Sequence, residues 1–524
     1  MRKFITFLLR FLTYILPFAG LFILGVLLYG MTIRGMYGKP DIATVKDRLD
    51  LPTYPFELSP ERGRYATLVA LAEDHTFALR EELGQLAYPD VGVYKNRFYS
   101  YFAPGISILA YPLYNLGLTY NIPQVAAYSV VAMFAVLNLL CLYYISRYIF
   151  KFPLWAALFA PILFGFGTPS WSYAITLYQH HATTFFILAT LIASWKIRQG
   201  SATSALWAAY AWFNYGYGIF VDYPNALLMA PVMAYLTLAG FGVKLDDAKK
   251  TLGLAFRPEV FIGVIMFIAI TVGHAYYNGV NFGSWTRVSG SLPGYKSIVE
   301  ANLTQTEDAE KKVEERKGQK NIVKFFTEEK TPFGFYTLTI SQDRGIFLYV
   351  PIMVLAVFGS ILAMRTMTPE IGTLLSSIAI NLFLYSSWGD PWGGWAFGPR
   401  YLIPTMAMGS LFVSYFLAHT RFSVLWRVVA LILFVYSSAV AILGAFTTNA
   451  VPPKIEGDFL HIAYNFIRNL DFYLAGKSGS FVFNHYLSPY VTLGQLTAVI
   501  FGGLFAVAFV LLILFPLLKR KKTV

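Results

Sequence analysis

Long apolar runs recur from one end of the chain to the other, separated by short polar stretches. Read as helix, each run of about 20 residues can cross a hydrocarbon layer of roughly 30 Å. About twelve spans are predicted on this basis. They lie near 5–31, 123–146, 153–169, 175–195, 204–220, 224–243, 259–277, 345–364, 371–388, 402–418, 424–446 and 492–517. The first opens on basic residues (Arg2, Lys3, Arg10) but stays apolar to about Tyr29 with no clear small-residue cleavage site. It is therefore read as a retained spanning helix rather than a signal peptide. One further apolar piece, 103–118, contains Pro104, Gly105 and Pro112. No pair of repeated halves is evident.

Charge settles how that extra piece is read. If 103–118 does not cross and the N-terminus is inside, the inner loops carry nearly all the short-loop cations. These are Arg147 and Lys151; Lys196 and Arg198; Lys244, Lys249, Lys250 and Arg257; Arg365; Arg421; and Lys519 to Lys522. The outer short loops, near 167–173 and 221–225, carry none. That is the positive-inside pattern, and letting 103–118 cross would invert it. The piece is therefore placed in the interface. Three long segments then lie outside, near 40–102, 278–344 and 447–492. The expected architecture is a single all-α polytopic membrane domain over residues 1–524, with a large first extracytoplasmic loop. Both termini would be cytoplasmic.

Composition agrees. Of 524 residues 56% are hydrophobic and only 13% charged, against about 25% charged in soluble domains. Aromatics at 18% suit interfacial belts of Trp and Tyr. The lone Cys141 excludes an intrachain disulfide and a CxxC metal site. The net charge of +13 is read as inner loops meeting anionic lipid or phosphate, not as a nucleic-acid surface. The charged stretch 307–330 reads as a solvated helix or loop. Asn302-Leu-Thr304 fits a glycosylation sequon, a triplet frequent by chance. Lys521-Lys-Thr-Val524 fits a two-lysine retrieval signal that any basic inner tail would produce. No Walker, GxGxxG or HExxH motif is present in a supporting context.

The same topology gathers the unusual polar residues on the outer face. Glu61, Arg64, the Glu73–Asp74 pair, Asp90, Lys95 and Arg97 occupy the first loop. His180 and His181 would fall in the second turn of a helix that starts outside. Asp222 sits at an outer rim in Phe-Val-Asp-Tyr-Pro-Asn, where it either caps the following helix or serves a site. Arg344 closes the second outer segment, where it either pairs with Asp343 or contacts phosphate. Asp390 and Arg400 flank Trp388-Gly-Asp-Pro-Trp-Gly-Gly-Trp-Ala-Phe-Gly-Pro-Arg400. Ionisable groups near membrane depth are costly and mark sites. The adjacent histidines point about 100° apart on a helix, so they are not a metal pair. Each is either a packing residue or a phosphate contact. Arg400 either anchors a helix end or contacts phosphate. Carboxylates are available to a divalent cation, but no spacing demands one.

Several pieces, in order, resemble the GT-C superfamily of membrane glycosyltransferases, in its protein-mannosyltransferase and aminoarabinose-transferase branch. Residues 59–66 read Ser-Pro-Glu-Arg-Gly-Arg-Tyr-Ala, and 98–105 read Phe-Tyr-Ser-Tyr-Phe-Ala-Pro-Gly. Residues 166–173 read Phe-Gly-Thr-Pro-Ser-Trp-Ser-Tyr, followed by His180. Residues 277–284, 341–345 and 393–402 continue the match. Together they span nearly the whole chain. The resemblance implies helices lying on the membrane in the first loop, a polyprenyl-phosphate-sugar donor and a catalytic acid early in that loop. Its Asp-Glu pair before Arg-Tyr-Ala is reduced here to Glu61, which takes the base role, with Asp90 as the alternative. Its Glu-Lys-Pro-Pro motif is replaced by Ser100-Tyr-Phe-Ala-Pro, which makes Asp90, Lys95 and Arg97 candidates to compensate.

The chemistry this implies is transfer of a hexosyl or pentosyl group, with inversion, on the extracytoplasmic face of the inner membrane. The acceptor would be a glycan, lipid or protein. Arginine suits the phosphate, which it can hold bidentately, and a carboxylate suits the acceptor's proton. The rival is a transporter or a lipid or glycan flippase. That reading calls for related halves and polar residues at mid-membrane on broken helices. A third reading, a non-catalytic partner in a glycan machine, would tolerate loss of Glu61, Asp90 and Arg400 together.

Overall fold

A computed structural model describes residues 2–40, 56–246, 251–294, 330–421 and 423–520. The sequon, most of the charged stretch and the C-terminal Lys521–Val524 signal lie outside these residues. Every predicted span contains helix. In chain order the described elements begin with α1 (Arg2–Thr32), α2 (Ser59–Glu73), α3 (Glu81–Ala87), β1 (Val91–Tyr94), β2 (Arg97–Ser100), α4 (Gly105–Thr119), α5 (Pro123–Tyr144) and α6 (Leu154–Phe166). A short α7 (Ser170–Ala174) precedes α8 (His180–Arg198), α9 (Ser204–Val221), α10 (Asn225–Leu228) and α11 (Ala230–Ala239). After the hairpin β3 (Phe241–Asp246) and β4 (Thr251–Phe256) come α12 (Pro258–Ile262) and α13 (Val264–Phe282). The second half holds α14 (Thr331–Thr339), α15 (Ile346–Tyr349), α16 (Met353–Met364), α17 (Pro369–Ser386), α18 (Ile403–His419) and α19 (Ser423–Phe446). It ends with α20 (Lys454–Leu460), α21 (Phe466–Leu474), α22 (Leu493–Phe509) and α23 (Phe515–Arg520).

Among the described residues, six helical stretches are long and apolar enough to cross a membrane on their own. They make the chain an integral membrane protein. The stretch Arg400–His419 is 78% buried and sits at the centre of the bundle, whereas Pro258–Phe282 is 11% buried and lies at its lipid-facing rim. With no solvent to drive helices together, close packing does the work. Gly359 of α16 lies against the backbone of Phe412 in α18, so closely that a Cβ there would collide. At the other edge, α22 starts where the sequence says it should. Thr492 accepts from the Gln495 amide at 3.2 Å and the Gln495 side chain returns the bond at 2.9 Å, a capping box.

The interfacial reading of 103–118 has a geometric basis. Helix α4 is 15 residues, about 22 Å long. Gly105 at its start packs on the backbone of Phe220, at the end of α9, and Tyr217 donates to the Gly105 carbonyl at 3.0 Å. Gly117 near its end packs on Pro123 and Ala126, at the start of α5. Both ends of α4 therefore touch the same end of the bundle.

The all-α expectation needs an addition, because two antiparallel hairpins are present. Hairpin β1–β2 turns at Lys95 and Asn96, both with positive φ (47° and 57°). A two-residue turn of that hand matches the twist of paired strands. Lys-Asn is a weak signal beside the usual Asn-Gly, so the sequence did not announce it. The span expected at 175–195 also shifts. Helix α8 begins at His180, so the two histidines open the helix rather than occupying its second turn. The apolar letters of Ile175, Leu177 and Tyr178 conceal a buried, non-helical connection.

Candidate active site

Glu61 falls in the first turn of α2, one residue after Pro60, whose fixed φ suits a helix start. Residues 61, 64, 65 and 68 then share one face at helical spacing, and all four are buried. The Tyr128 hydroxyl on α5 donates to one oxygen of Glu61. The other oxygen, though buried, has no partner among the described residues. Burial first, then the neighbouring Glu57, pushes the Glu61 carboxyl up to about 8, against the pull of the Tyr128 bond and Arg34.

Glu57 is itself buried, in an ion pair with Arg34. It also accepts from the Asn449 amide at 3.1 and 2.9 Å, while Arg34 donates to the Gly444 carbonyl at 3.0 Å. These contacts join the end of α1, the entry to α2 and the end of α19. Asp90 accepts from the Ser59 hydroxyl at 2.5 Å, just before Glu61.

One helical turn beyond Glu61, Arg64 spends Nη1 on the Pro60 carbonyl at 2.8 Å and lies over the Phe102 ring at 4.5 Å. Its Nε and Nη2 are buried with no partner among the described residues. Burial lowers the Arg64 guanidinium to about 10, opposed chiefly by Asp222. Arg400, from the Gly-rich turn, has Nε and Nη1 in the same condition and lies over the rings of Tyr178 and Tyr401 at 5.6 and 5.4 Å. Asp222 faces both arginines and accepts from Gln179 at 3.2 Å. Burial pushes its carboxyl up, and Arg64 pulls it down first. His180 stands beside them, 6.3 Å from the Tyr401 ring, with Nε2 unpartnered among the described residues.

The chain therefore gathers Glu61, Arg64, Asp90, Asp222, His180 and Arg400 at one end of the bundle, from four separate segments. Several donors and one carboxylate oxygen remain open there. Buried donors are almost always paired, so this cluster is shaped for an anion. Gly393 helps to form it. Its φ is 71°, and a Cβ there would stand 3.0 Å from Arg400 Nε.

Other candidates turn out to have different work. Arg344, read as a phosphate contact, is committed to the backbone. It donates to the carbonyls of Trp392 (3.2 Å), Asp343 (3.1 Å), Gly394 (3.2 Å) and Val451 (2.8 Å). It stitches the outer turns with four of its five N–H groups, which leaves one Nη1 N–H beyond these bonds. Asp390 accepts from the Gly394 amide at 2.6 Å and so shapes the turn that presents Arg400. His181 bonds the Ser170 carbonyl at 2.8 Å and is a packing residue. Lys95 and Arg97 sit exposed on the β1–β2 hairpin, where Lys95 lies over the Tyr94 ring at 5.6 Å and Arg97 interacts with Tyr99. Replacing Arg344 by Lys is expected to lower the thermal midpoint of the purified protein, because a single ammonium cannot meet four diverging carbonyls. An unchanged midpoint would refute this stitching role.

Sequence reasoning missed Arg34, Glu57, Tyr128, Tyr178 and Gln179. None of them belongs to a motif. Among the described residues, no three His, Cys, Asp or Glu side chains converge as a metal site.

No family model matches the chain, and no curated protein does. Among solved structures it matches ArnT from Cupriavidus metallidurans bound to undecaprenyl phosphate, with a TM-score of 0.51 at 14% identity, over 95% of this chain and 74% of that one. The chain has the ArnT fold. The GT-C resemblance carried by the motifs holds at the level of architecture. The apo state of ArnT also matches, with a TM-score of 0.47 at 13% identity, over 95% of this chain and 77% of that one. So does the apo oligosaccharyltransferase of Archaeoglobus fulgidus, with a TM-score of 0.44 at 14% identity, over 84% of this chain and 57% of that one.

Proposed function

We propose that this protein is a membrane glycosyltransferase that moves a sugar from a polyprenyl-phosphate carrier to a glycan, lipid or protein acceptor on the extracytoplasmic face. The observation that carries the reading is a pair of buried arginines with open N–H groups, Arg400 and Arg64, the second of them one helical turn from the buried, half-satisfied carboxylate of Glu61. The fold shared with ArnT, a structure bound to undecaprenyl phosphate, supports the choice of carrier. It also weighs against the transporter or flippase reading.

The reaction is a single displacement with inversion, transferring a hexosyl or pentosyl group. The acceptor hydroxyl attacks the anomeric carbon and the bond from that carbon to the phosphate oxygen breaks. The acceptor's proton passes to Glu61, and the negative charge that grows on the departing polyprenyl phosphate falls to Arg64 and Arg400. Donors already in place cost no reorganisation as that charge develops. Phosphate leaves without a general acid. Asp222 and Gln179 hold the arginines' surroundings, and Asp90 is the alternative base. Among the described residues no three His, Cys, Asp or Glu side chains converge, and the step is written without a divalent cation, to which the site's carboxylates remain available. The chain is read as crossing the inner membrane about twelve times, with both termini cytoplasmic. The remaining helices α6, α8, α9, α11, α16 and α17 would complete the count.

The test is transfer from radiolabelled polyprenyl-phosphate sugars in proteoliposomes, comparing the native protein with Glu61→Gln, Asp90→Asn and Arg400→Ala. Loss in Glu61→Gln and Arg400→Ala supports the site. Full activity in all three removes it.

A further inference from the structure

A polar cavity lies at the end of the bundle away from Glu61 and Arg400. It has a volume of about 580 Å³ and is lined by Lys151, Trp195, Arg198, Thr368, Glu370 and His419, among others. Its position follows from helices it shares with the first site. Helix α8 starts at His180 beside Arg400 and ends at Arg198 in the cavity. Its 19 residues span about 28 Å. Helix α18 begins just after Arg400 and ends at His419. Helix α17 begins at the cavity and ends at Ser386, where Tyr385 stacks on Tyr401 at 4.3 Å. Helix α5 carries Tyr128, bonded to Glu61, near its start and leads into Tyr148 and Lys151 in the cavity. Four helices therefore place the two polar regions at opposite faces of a layer about as thick as a bilayer's hydrocarbon core of roughly 30 Å.

The cavity has the chemistry of an anion site at headgroup depth. Its one described carboxylate, Glu370, is already engaged. Tyr235 donates to it at 2.5 Å and Arg198 at 3.2 Å. Arg198 nevertheless stays 44% exposed in its side chain, so part of its guanidinium faces outward. Lys151 is exposed, held at φ 56° just beyond a π-helical turn. His419 turns Nδ1 to the Tyr415 carbonyl at 2.9 Å and stacks on the Tyr415 ring, which leaves Nε2 for the cavity. The start of α17 adds the positive end of a helix dipole. Trp195 and Tyr148 are the amphipathic rings that settle at the membrane–water boundary. Nearby in the chain are Arg147 in the π-helical turn, Lys196 in the last turn of α8, Arg365, and Arg257, whose side chain reaches the Ile197 carbonyl.

We propose that this cavity binds the phosphate of an anionic phospholipid headgroup in the leaflet opposite the sugar-transfer site. By the positive-inside rule this is the cytoplasmic leaflet, whose lipids are anionic. The assignment does not depend on the reaction at the other face.

The full-length protein, freed of lipid in neutral detergent, is titrated with phosphatidylglycerol, phosphatidylcholine or sodium phosphate. Native mass spectrometry counts the bound lipids, and the thermal midpoint follows each titration. Phosphatidylglycerol is expected to bind at least tenfold more tightly than phosphatidylcholine. Lys151→Glu is expected to erase most of that preference. Lys151→Asn, which keeps a residue tolerant of positive φ, should erase part of it. Lys454→Asn, a cation at the other end of the bundle, should leave the preference intact. Equal affinity for the two lipids, or a preference untouched by Lys151→Glu, overturns the proposal. So does a Lys151-dependent response to sodium phosphate with no lipid preference, since that would make the ligand a soluble phosphate.

Discussion

Glu61→Gln is expected to remain folded and to lose about 10²- to 10⁴-fold in turnover, the usual worth of a positioned general base. The pH dependence makes this more than a deletion result. Burial and Glu57 raise the Glu61 carboxyl to about 8, so the carboxylate needed to take a proton becomes abundant only as pH passes about 8. The native enzyme should show an ascending limb in kcat/KM with its inflection there, and Glu61→Gln should lack it.

Stability runs the opposite way. A carboxyl raised in the folded state, against about 4.3 in the unfolded chain, contributes stability that is fully present below about 4.3. That stability is lost as pH climbs through about 8. Glutamine is neutral throughout and imposes no such loss. Above pH 8, Glu61→Gln should therefore unfold at the same temperature as the native protein or a higher one while remaining inactive. Retained turnover, or a limb near pH 8 that survives the substitution, moves the base role to Asp90 or Asp222.

Arg400→Ala is expected to cost about 10²- to 10³-fold in kcat/KM for the donor, the scale seen when one preorganised charge-stabilising donor is removed. Arg64→Ala should lose a similar factor. The double variant should lose less than the product of the two, because both act on one charge. Arg400→Lys should rescue little, since a point charge cannot reproduce a bidentate grip. The loss should track the donor: a soluble phosphate-free acceptor analogue, titrated separately, should bind as before. Donor kinetics unchanged in Arg400→Ala would leave the arginine pair without its assigned role.

The two arginines also show how far the sequence could be read. Arg400 was marked by its motif and its glycines, and the structure keeps it in the site. Arg344 carried the same kind of signal, an arginine beside glycine at an outer turn, yet four of its five N–H groups are held by carbonyls. Nothing in the local letters separates a free guanidinium from an occupied one. The difference is set by which backbone folds over it, and that comes from residues 392–394 and 451, remote in the chain. Lys95 and Arg97 lie on the expected loop, but the hairpin turn that exposes them was not legible in the letters. Tyr128 is an aromatic in an apolar span with no motif, and only the packing of α2 against α5 aims its hydroxyl at Glu61.

What the sequence determined by itself was the environment and the lengths. Apolar runs spaced by basic loops dictate a many-helix membrane chain, because hydrocarbon admits no unpaired backbone and cations resist crossing. Helix starts at Pro60, Thr368 and Thr492 were equally local, since caps depend on a few neighbouring residues. Only the tertiary structure decided which polar side chains stay open. Hydrogen-bond satisfaction is a property of the whole enclosure, and the partners that close off Arg344 or leave Arg64 and Arg400 available lie far from each of them in sequence.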